Sequence, residues 1–284
     1  MTYRVIQLTD LHLSPHQNEE DEATYDLISQ MVQYYDPDLL MLTGDQIWSE
    51  GVIDSDLTFK KLLQHLNQLN VPVALTYGNH DTENQFSRND LRQLESELNL
   101  LVEKNHSLIV DDKEAYCIEV TQDSILTHII YVIDSGDYDK LNISHYDYIH
   151  PEHVQWMRTT REQYLKAGFT GINNLLFTHI PLPEYKQANK EQGIKGIYNE
   201  SVSSADINSG MFAQLLHNND VSYVSCGHDH DNDFQFNLNG INLCFGRVSG
   251  FHCYGDVQRG ARIFDLESTG RVTTKVIEYD KRFK

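Results

Sequence analysis

A chain of 284 residues with 40% apolar side chains can bury a sizeable core, and its formal net charge of −20 sets it apart from proteins that hold nucleic acid. Phosphate backbones select basic surfaces, so DNA and RNA are not expected partners, whereas a phosphorylated substrate stays open because bound divalent cations reverse the local sign of charge. Cys117, Cys226, Cys244 and Cys253 form no CxxC pair and read as buried free thiols, and no run has membrane-spanning length, so a soluble cytoplasmic protein without a membrane partner is expected.

Val5 to Thr9 is an apolar, β-prone run that leads into Asp10 and His12. Ser14 to Asp21 reads as a loop, and Glu22 to Tyr35 has helical spacing through Leu27, Ile28, Met31 and Val32. Leu39 to Thr43 is a second strand, running into Gly44 and Asp45. Residues 57–69 are again helical, and Pro72 opens a third strand that ends in Gly78-Asn79-His80-Asp81. This β-α-β-α-β order belongs to a mostly parallel sheet covered by helices. A helix is expected over 87–99 and neighbouring strands at 116–120 and 126–133. A helix is expected from Pro151 to about Lys166, and a strand from Asn174 to Thr178 delivers His179. Residues 181–205 have Pro181, Pro183, Gly193 and Gly196 and little periodicity; they read as a long loop that, with Arg247, could line a substrate pocket. A helix over 206–217 follows, then a strand from Val221 to Cys226 that ends in Gly227-His228-Asp229-His230. Short strands at 234–238, 241–246, 261–266 and 272–278 complete the chain. The expected architecture is one α/β domain over 1–284, with two sheets packed face to face and helices outside.

Five strand ends thus carry Asp, Asn and His, the residue types of a metal site built on a sheet edge. Asp10 and His12, two apart, fall on one side of an extended segment and can share an ion. His228 and His230 have the same spacing but, just past a strand end, can reach two adjacent ions. Gly44, Gly78 and Gly227 allow sharp turns. Carboxylate, amide and imidazole donors together suit Mn, Fe or Zn; Cys226, beside the histidines, reads as a strand residue rather than a ligand. Asp81 reads as a residue that orients His80 or a ligand. His150 and His153 read as surface or core side chains, with His150-Pro151 capping a helix, and Asp231 and Asp233 as solvated or supporting acids.

Asp10-x-His12, Gly44-Asp45, Gly78-Asn79-His80-Asp81, His179 and Gly227-His228-x-His230, in this order, resemble the motifs of the calcineurin-like metallophosphoesterases. The runs 77–83, 179–185, 208–210, 227–234 and 259–262 look most like the branch related to purple acid phosphatases. The resemblance implies a four-layer α/β/β/α sandwich of two mixed sheets. It implies two divalent metal ions, one held by Asp10, His12, Asp45 and His230 and the other by Asp45, Asn79, His179 and His228, with Asp45 bridging. A water or hydroxide shared between them would attack phosphorus in line, with Asn79 neutralising phosphoryl charge and His80 binding the phosphoryl group or protonating the leaving oxygen. The expected activity is phosphomonoester hydrolysis of a small molecule or phosphoprotein, with a phosphodiesterase acting on a small nucleotide, or a silent metal-binding scaffold, as alternatives. Purple members carry a tyrosinate ligand three residues after the bridging Asp; here that position is Trp48, which supplies no phenolate.

Overall fold

The structure, a computed structural model, describes residues 1–16, 18–189 and 193–280. One sheet has the order β12-β11-β1-β2-β3, formed by β1 (Thr2–Leu8), β2 (Leu39–Thr43), β3 (Val73–Thr76), β11 (Gly260–Glu267) and β12 (Val272–Glu278). The other has the order β4-β5-β6-β7-β8-β10-β9. Its strands are β4 (Asn105–Val110), β5 (Lys113–Gln122), β6 (Ile125–Ile133), β7 (Asn174–Phe177), β8 (Val221–Cys226), β9 (Gln235–Leu238) and β10 (Ile241–Phe245). Both sheets are mixed: β1, β2 and β3 run parallel, as do β6, β7, β8 and β10, while the flanking strands are antiparallel.

Strand alternation explains the layering. Side chains on a strand point to opposite faces in turn, and every residue of β2 is buried, so both of its faces must be covered. Leu40 and Leu42 join Leu27, Ile28 and Met31 of helix α1 (Glu19–Tyr35) and Phe59, Leu62 and Leu66 of α2 (Ser55–Leu69). Leu39 and Met41 face the other way and meet Ile130, Val132, Leu175 and Phe177 of the second sheet. The far face of that sheet, with Tyr131, Leu176 and Val224, packs on Trp156 and Met157 of α4 (Pro151–Lys166) and on Phe212 and Leu215 of α5 (Met211–Asn218). Three apolar layers therefore separate four layers of structure, the α/β/β/α sandwich that the sequence implied. Between the sheets Phe177 meets Phe264 edge to face at 5.4 Å, a geometry that adds roughly 0.5–1.5 kcal/mol beyond area burial.

Some boundaries differ from expectation, each for a local reason. Helix α1 begins earlier than Glu22, because Asn18 and Asp21 form a reciprocal capping box: Asn18 Oδ1 accepts from Asp21 N at 2.9 Å. The helix expected over 87–99 is α3 (Arg88–Leu94) followed by a 3-10 turn at Glu95–Glu97. Glu95 is drawn inward there by Tyr77 Oη at 2.6 Å and Lys104 Nζ at 2.6 Å. Helix α5 starts at Met211 rather than 206, because Asn208 Oδ1 accepts from Gly210 N at 2.9 Å and forms a turn first. Strand β4 was not expected; it is a half-exposed edge whose polar start hides the alternation. Part of the expected 181–205 loop, residues 190–192, lies outside the described residues, and Pro183–Gln187 within it form a 3-10 turn.

Candidate metal centre

Because β1, β2 and β3 are parallel, Asp10, Asp45 and Asn79 leave the same edge of one sheet. Parallel β7 and β8 deliver His179 and His228 from the facing sheet. The site thus sits where two sheet edges meet rather than on one. A buried amide ties the edges together: Gln7 Nε2 donates to Thr43 Oγ1 at 2.9 Å and to the Cys226 carbonyl at 3.0 Å, and Ser225 Oγ donates to Gln7 Oε1 at 2.6 Å. Hydrogen bonds from Asp10 N to the Gly44 carbonyl (3.1 Å) and from His12 N to the Asp45 carbonyl (2.9 Å) continue the contact past the strands.

The backbone at these ends is not extended. Asp10 (φ 53), His12 (φ 45), Asp45 (φ 51) and His228 (φ 81) are all left-handed, a conformation that non-glycine residues seldom adopt and that concentrates at functional sites. The expectation that Asp10 and His12 share an ion as alternate residues of an extended segment is therefore corrected: tight left-handed turns, not strand alternation, set their directions. Asp81 helps to hold the second turn, accepting from Asp45 N at 2.9 Å, Ile47 N at 3.1 Å and Gly78 N at 2.8 Å. Gly44 (φ 95) makes a sharp turn, as expected. Gly78 serves a different purpose, close approach. A Cβ there would lie 2.2 Å from Asp45 Oδ1 and 2.7 Å from His179 Nε2. We expect Gly78→Ala to cost about 1–3 kcal/mol through overpacking and to lower metal content, read from Tm and from metal per chain. An alanine variant with wild-type Tm and metal content would show that this approach is not required.

The side chains predicted as ligands converge. Asp45 Oδ2 lies 3.5 Å from His12 Nε2 and 3.2 Å from His179 Nε2, between the two proposed ion positions. His230 Nε2 is 3.5 Å from Asp10 Oδ1, and His228 Nδ1 is 3.3 Å from His179 Nε2. The other ring nitrogen of His179 is set by the Thr43 carbonyl at 2.8 Å, which fixes the tautomer and leaves Nε2 for the centre. Among the described residues, His12 Nε2 and Asn79 Oδ1 are buried without a hydrogen-bond partner. Buried polar atoms seldom go unpaired, so these unpaired donor atoms fit bound cations. Two groups whose potential donor atoms lie within 4.8 Å of one another, His12/Asp45/His80 and Asp45/His179/His228, share Asp45.

The electrostatics agree with that fit. Burial alone would raise the pKa of Asp10, yet His230 and His179 hold it down at about 2; Asp45 is likewise held well below the carboxylate range against burial, by His179 and His12. Burial, helped by the His179 charge, pushes His228 down to about 3, and burial lowers His12 despite Asp45. Ionised carboxylates and neutral imidazoles are the forms that bind a cation. His179 is the exception: burial opposes its charge, but Asp45 lifts it to about 9, so a cation there competes with a proton.

His80 stands beside these residues with a different partner. Its Nδ1 is 2.7 Å from Glu83 Oε2, and Trp48 stacks on its ring at 4.5 Å. Burial works against a charged His80, but the Glu83 hydrogen bond and the Asp45 charge outweigh it and raise its pKa. His80 N also donates to Asp45 Oδ1 at 2.8 Å. The cleft above holds about 370 Å³ and is lined by Trp48, His80, Tyr146, His252 and Tyr254 together with the centre's own side chains.

A family profile described as calcineurin-like phosphoesterase matches residues 3–232. The chain belongs to the calcineurin-like phosphoesterases. It is 30% identical to Probable inactive purple acid phosphatase 29 of Arabidopsis thaliana, over 92% of this chain and 76% of that protein. It is 28% identical to Phosphatase DCR2 of Saccharomyces cerevisiae, over 93% of this chain and 51% of that protein. Its fold is similar to that of a dimetal phosphatase from Danio rerio, with a TM-score of 0.65 and 14% identity over 98% of this chain and 99% of that one.

Several residues that matter to this phosphoesterase site were not singled out from sequence. Cys253 has its thiol near His12 and His230, within a third such group of potential donor atoms, and donates to the Asp10 carbonyl at 2.9 Å. Tyr138 accepts from Asn79 Nδ2 at 3.2 Å and donates to Glu83 Oε1 at 2.6 Å. Tyr146 meets His228 edge-on at 4.3 Å, and Tyr254 stacks on His230 at 4.1 Å. None of these sits in a motif; a lone Tyr or Cys in a loop carries no signal of where the loop returns. Arg247 does not line the cleft. It is buried against Asp233, with Nε at 2.9 Å and Nη2 at 2.5 Å from Oδ2, and it supports a turn. Asp231 is spent on Asp256 N and Val257 N. His150 is the cap residue before Pro151, though its ring makes no capping hydrogen bond, and His153 is buried in α4. No helix among the described residues is long and apolar enough to cross a membrane.

Proposed function

We propose that this chain is an active dinuclear phosphomonoesterase, with Asp10, His12, Asp45 and His230 holding one ion and Asp45, Asn79, His179 and His228 the other. The observation that carries the reading is Asp45 Oδ2 lying within 3.5 Å of His12 Nε2 and 3.2 Å of His179 Nε2. Two divalent ions, when bound, make a water nucleophilic at neutral pH and neutralise phosphoryl charge. The remaining work falls to side chains. Asn79, held through Nδ2 by Tyr138, keeps Oδ1 directed at the centre. Glu83 fixes the His80 ring and favours its protonated form, so His80 can hand a proton to the leaving oxygen. Trp48 stacked on that ring limits its rotation and screens it from water. Some relatives carry the word inactive in their names; the presence of all seven proposed ligand residues in this chain, and of His80 beside Glu83 at 2.7 Å, supports the active reading.

Oxygen and imidazole donors support manganese or iron, with zinc as the third choice. The four free, buried cysteines fit a reducing compartment, and we place the chain in the cytoplasm. The test is a panel of mono- and diesters with manganese-loaded protein. Monoesters should turn over faster, chelation should abolish turnover, and manganese should restore it; much faster cleavage of diesters would overturn the monoester reading. Iron-loaded protein is expected to lack the purple charge-transfer band. Trp48 stands at the tyrosinate position, Tyr254 Oη is committed to Glu200 at 2.9 Å, and Tyr77 Oη to Glu95. A strong visible band lost on changing a tyrosine would show that another phenolate binds.

A further inference from the structure

The cleft over the centre has an unusual charge for a phosphate-handling site. Among the described residues that line it there is no lysine or arginine. Sites that grip a second or third phosphate use such side chains, with arginine forks above all. Two divalent ions set against Asp10 and Asp45 leave enough positive charge for one phosphoryl dianion. Beyond the centre the wall carries the rings of Trp48, Tyr146 and Tyr254, Ser203, and the imidazoles of His80 and His252, each of which already faces a carboxylate of its own, Glu83 at 2.7 Å and Glu20 at 2.9 Å. Asp229 lines the wall but is buried and accepts from Ser203 N and Asn232 Nδ2, so the carboxylate that counts is Glu200, which stands behind Tyr254 with no ion-pair partner among the described residues.

The rings are arranged to favour a cation. Tyr254 Oη donates to Glu200 Oε2 at 2.9 Å, and a phenol that donates to a carboxylate has a more negative ring face. Tyr254 is 57% exposed although it stacks on His230, so part of its ring remains open to a ligand. Tyr146 and Trp48 line the same cleft. An ammonium over such faces is attracted by the ring quadrupole, more strongly where water is displaced, and carboxylates behind the rings add to the attraction.

We propose that this cleft is a subsite for a cationic leaving group, so that the substrates are phosphate monoesters of amino alcohols, with choline phosphate as the type compound. The inference rests on the phosphomonoesterase reading and deepens it. In the reaction, water oxygen forms the new bond to phosphorus and the bond from phosphorus to the alcohol oxygen breaks. A proton from the water replaces the phosphoryl group on the alcohol, and no oxidant or co-reactant is needed. Nucleoside di- and triphosphates are disfavoured, because their extra charges would face Glu200.

The experiment compares choline phosphate with 3,3-dimethylbutyl phosphate, its uncharged isostere, on the manganese-loaded full chain. Choline phosphate should have a kcat/KM about 10-fold higher, the size of effect expected when a cation meets an aromatic face in a partly dry cleft. Tyr254→Leu should cut that preference to about 3-fold or less, with Tyr254→Phe in between; Tyr146→Leu is the second variant should the first not fold. Equal rates on both esters in the wild type overturn the proposal. So does cleavage of nitrophenyl phosphate with no turnover of choline phosphate, which leaves the phosphatase reading standing. If no monoester is cleaved, that reading fails, and calorimetry with choline against 3,3-dimethylbutanol still decides: tighter choline binding supports the subsite and equal binding overturns it.

Discussion

Asp45→Asn is expected to empty the centre. Asp45 Oδ2 lies near both His12 and His179, and the carboxylate is held strongly ionised in a buried place. Removing an outer hydrogen-bond partner of a ligand costs about 10–100-fold in metal affinity, and loss of a shared anionic ligand should cost more. Asparagine has nearly the same shape, and the packing of β2 against both its neighbours is untouched, so the fold should survive. Metal per chain after dialysis should drop well below wild type, with an unchanged circular dichroism spectrum and activity lost in step with the metal. A variant that keeps both ions would show that Asp45 does not bridge.

His80→Ala should fail in another way. His80 holds Glu83 through its ring, and its ligand-like neighbours keep their own contacts without it. Both ions should stay bound while kcat falls by about 10²–10⁴-fold, the usual range for a general acid. The fall should shrink for nitrophenyl phosphate, whose leaving group needs little protonation. An equal fall for every leaving group would mean that His80 instead stabilises charge on phosphorus. His80 N donates to Asp45 Oδ1 from the backbone, so the alanine variant keeps that bond and the comparison with Asp45→Asn is clean.

Much of this candidate site was legible because each proposed ligand follows an apolar strand. Leu39 to Thr43 is buried on both faces, and such a run can only be an interior strand, whose polar end residue must emerge at an edge. Five such ends place Asp10, Asp45, Asn79, His179 and His228 at sheet edges from the sequence alone. The directions of those side chains were not legible. Left-handed backbone at Asp10, His12 and Asp45 goes with hydrogen bonds that Asp45 N donates to Asp81 and that Asp10 N and His12 N donate to the neighbouring strand end, which sequence spacing does not encode. The rings around the cleft were hidden for a related reason. Tyr138 and Tyr146 meet through a local antiparallel bridge in an irregular segment, Tyr254 comes from another irregular segment far along the chain, and the fold brings Tyr146 and Tyr254 to one cleft. Strand β4 and the early start of α1 show the two kinds of local failure: an edge strand too polar to alternate, and a capping box present in the sequence as Asn18-x-x-Asp21 but read as loop.

The most direct test is a manganese titration of metal-free protein with nitrophenyl phosphate present, following bound metal and hydrolysis together. Activity should rise as the second ion per chain binds and level off at two, and His80→Ala with the same two ions should be slower. Protein that binds two ions per chain and hydrolyses nothing beyond the metal-free background would contradict the enzyme reading and leave a metal-binding scaffold.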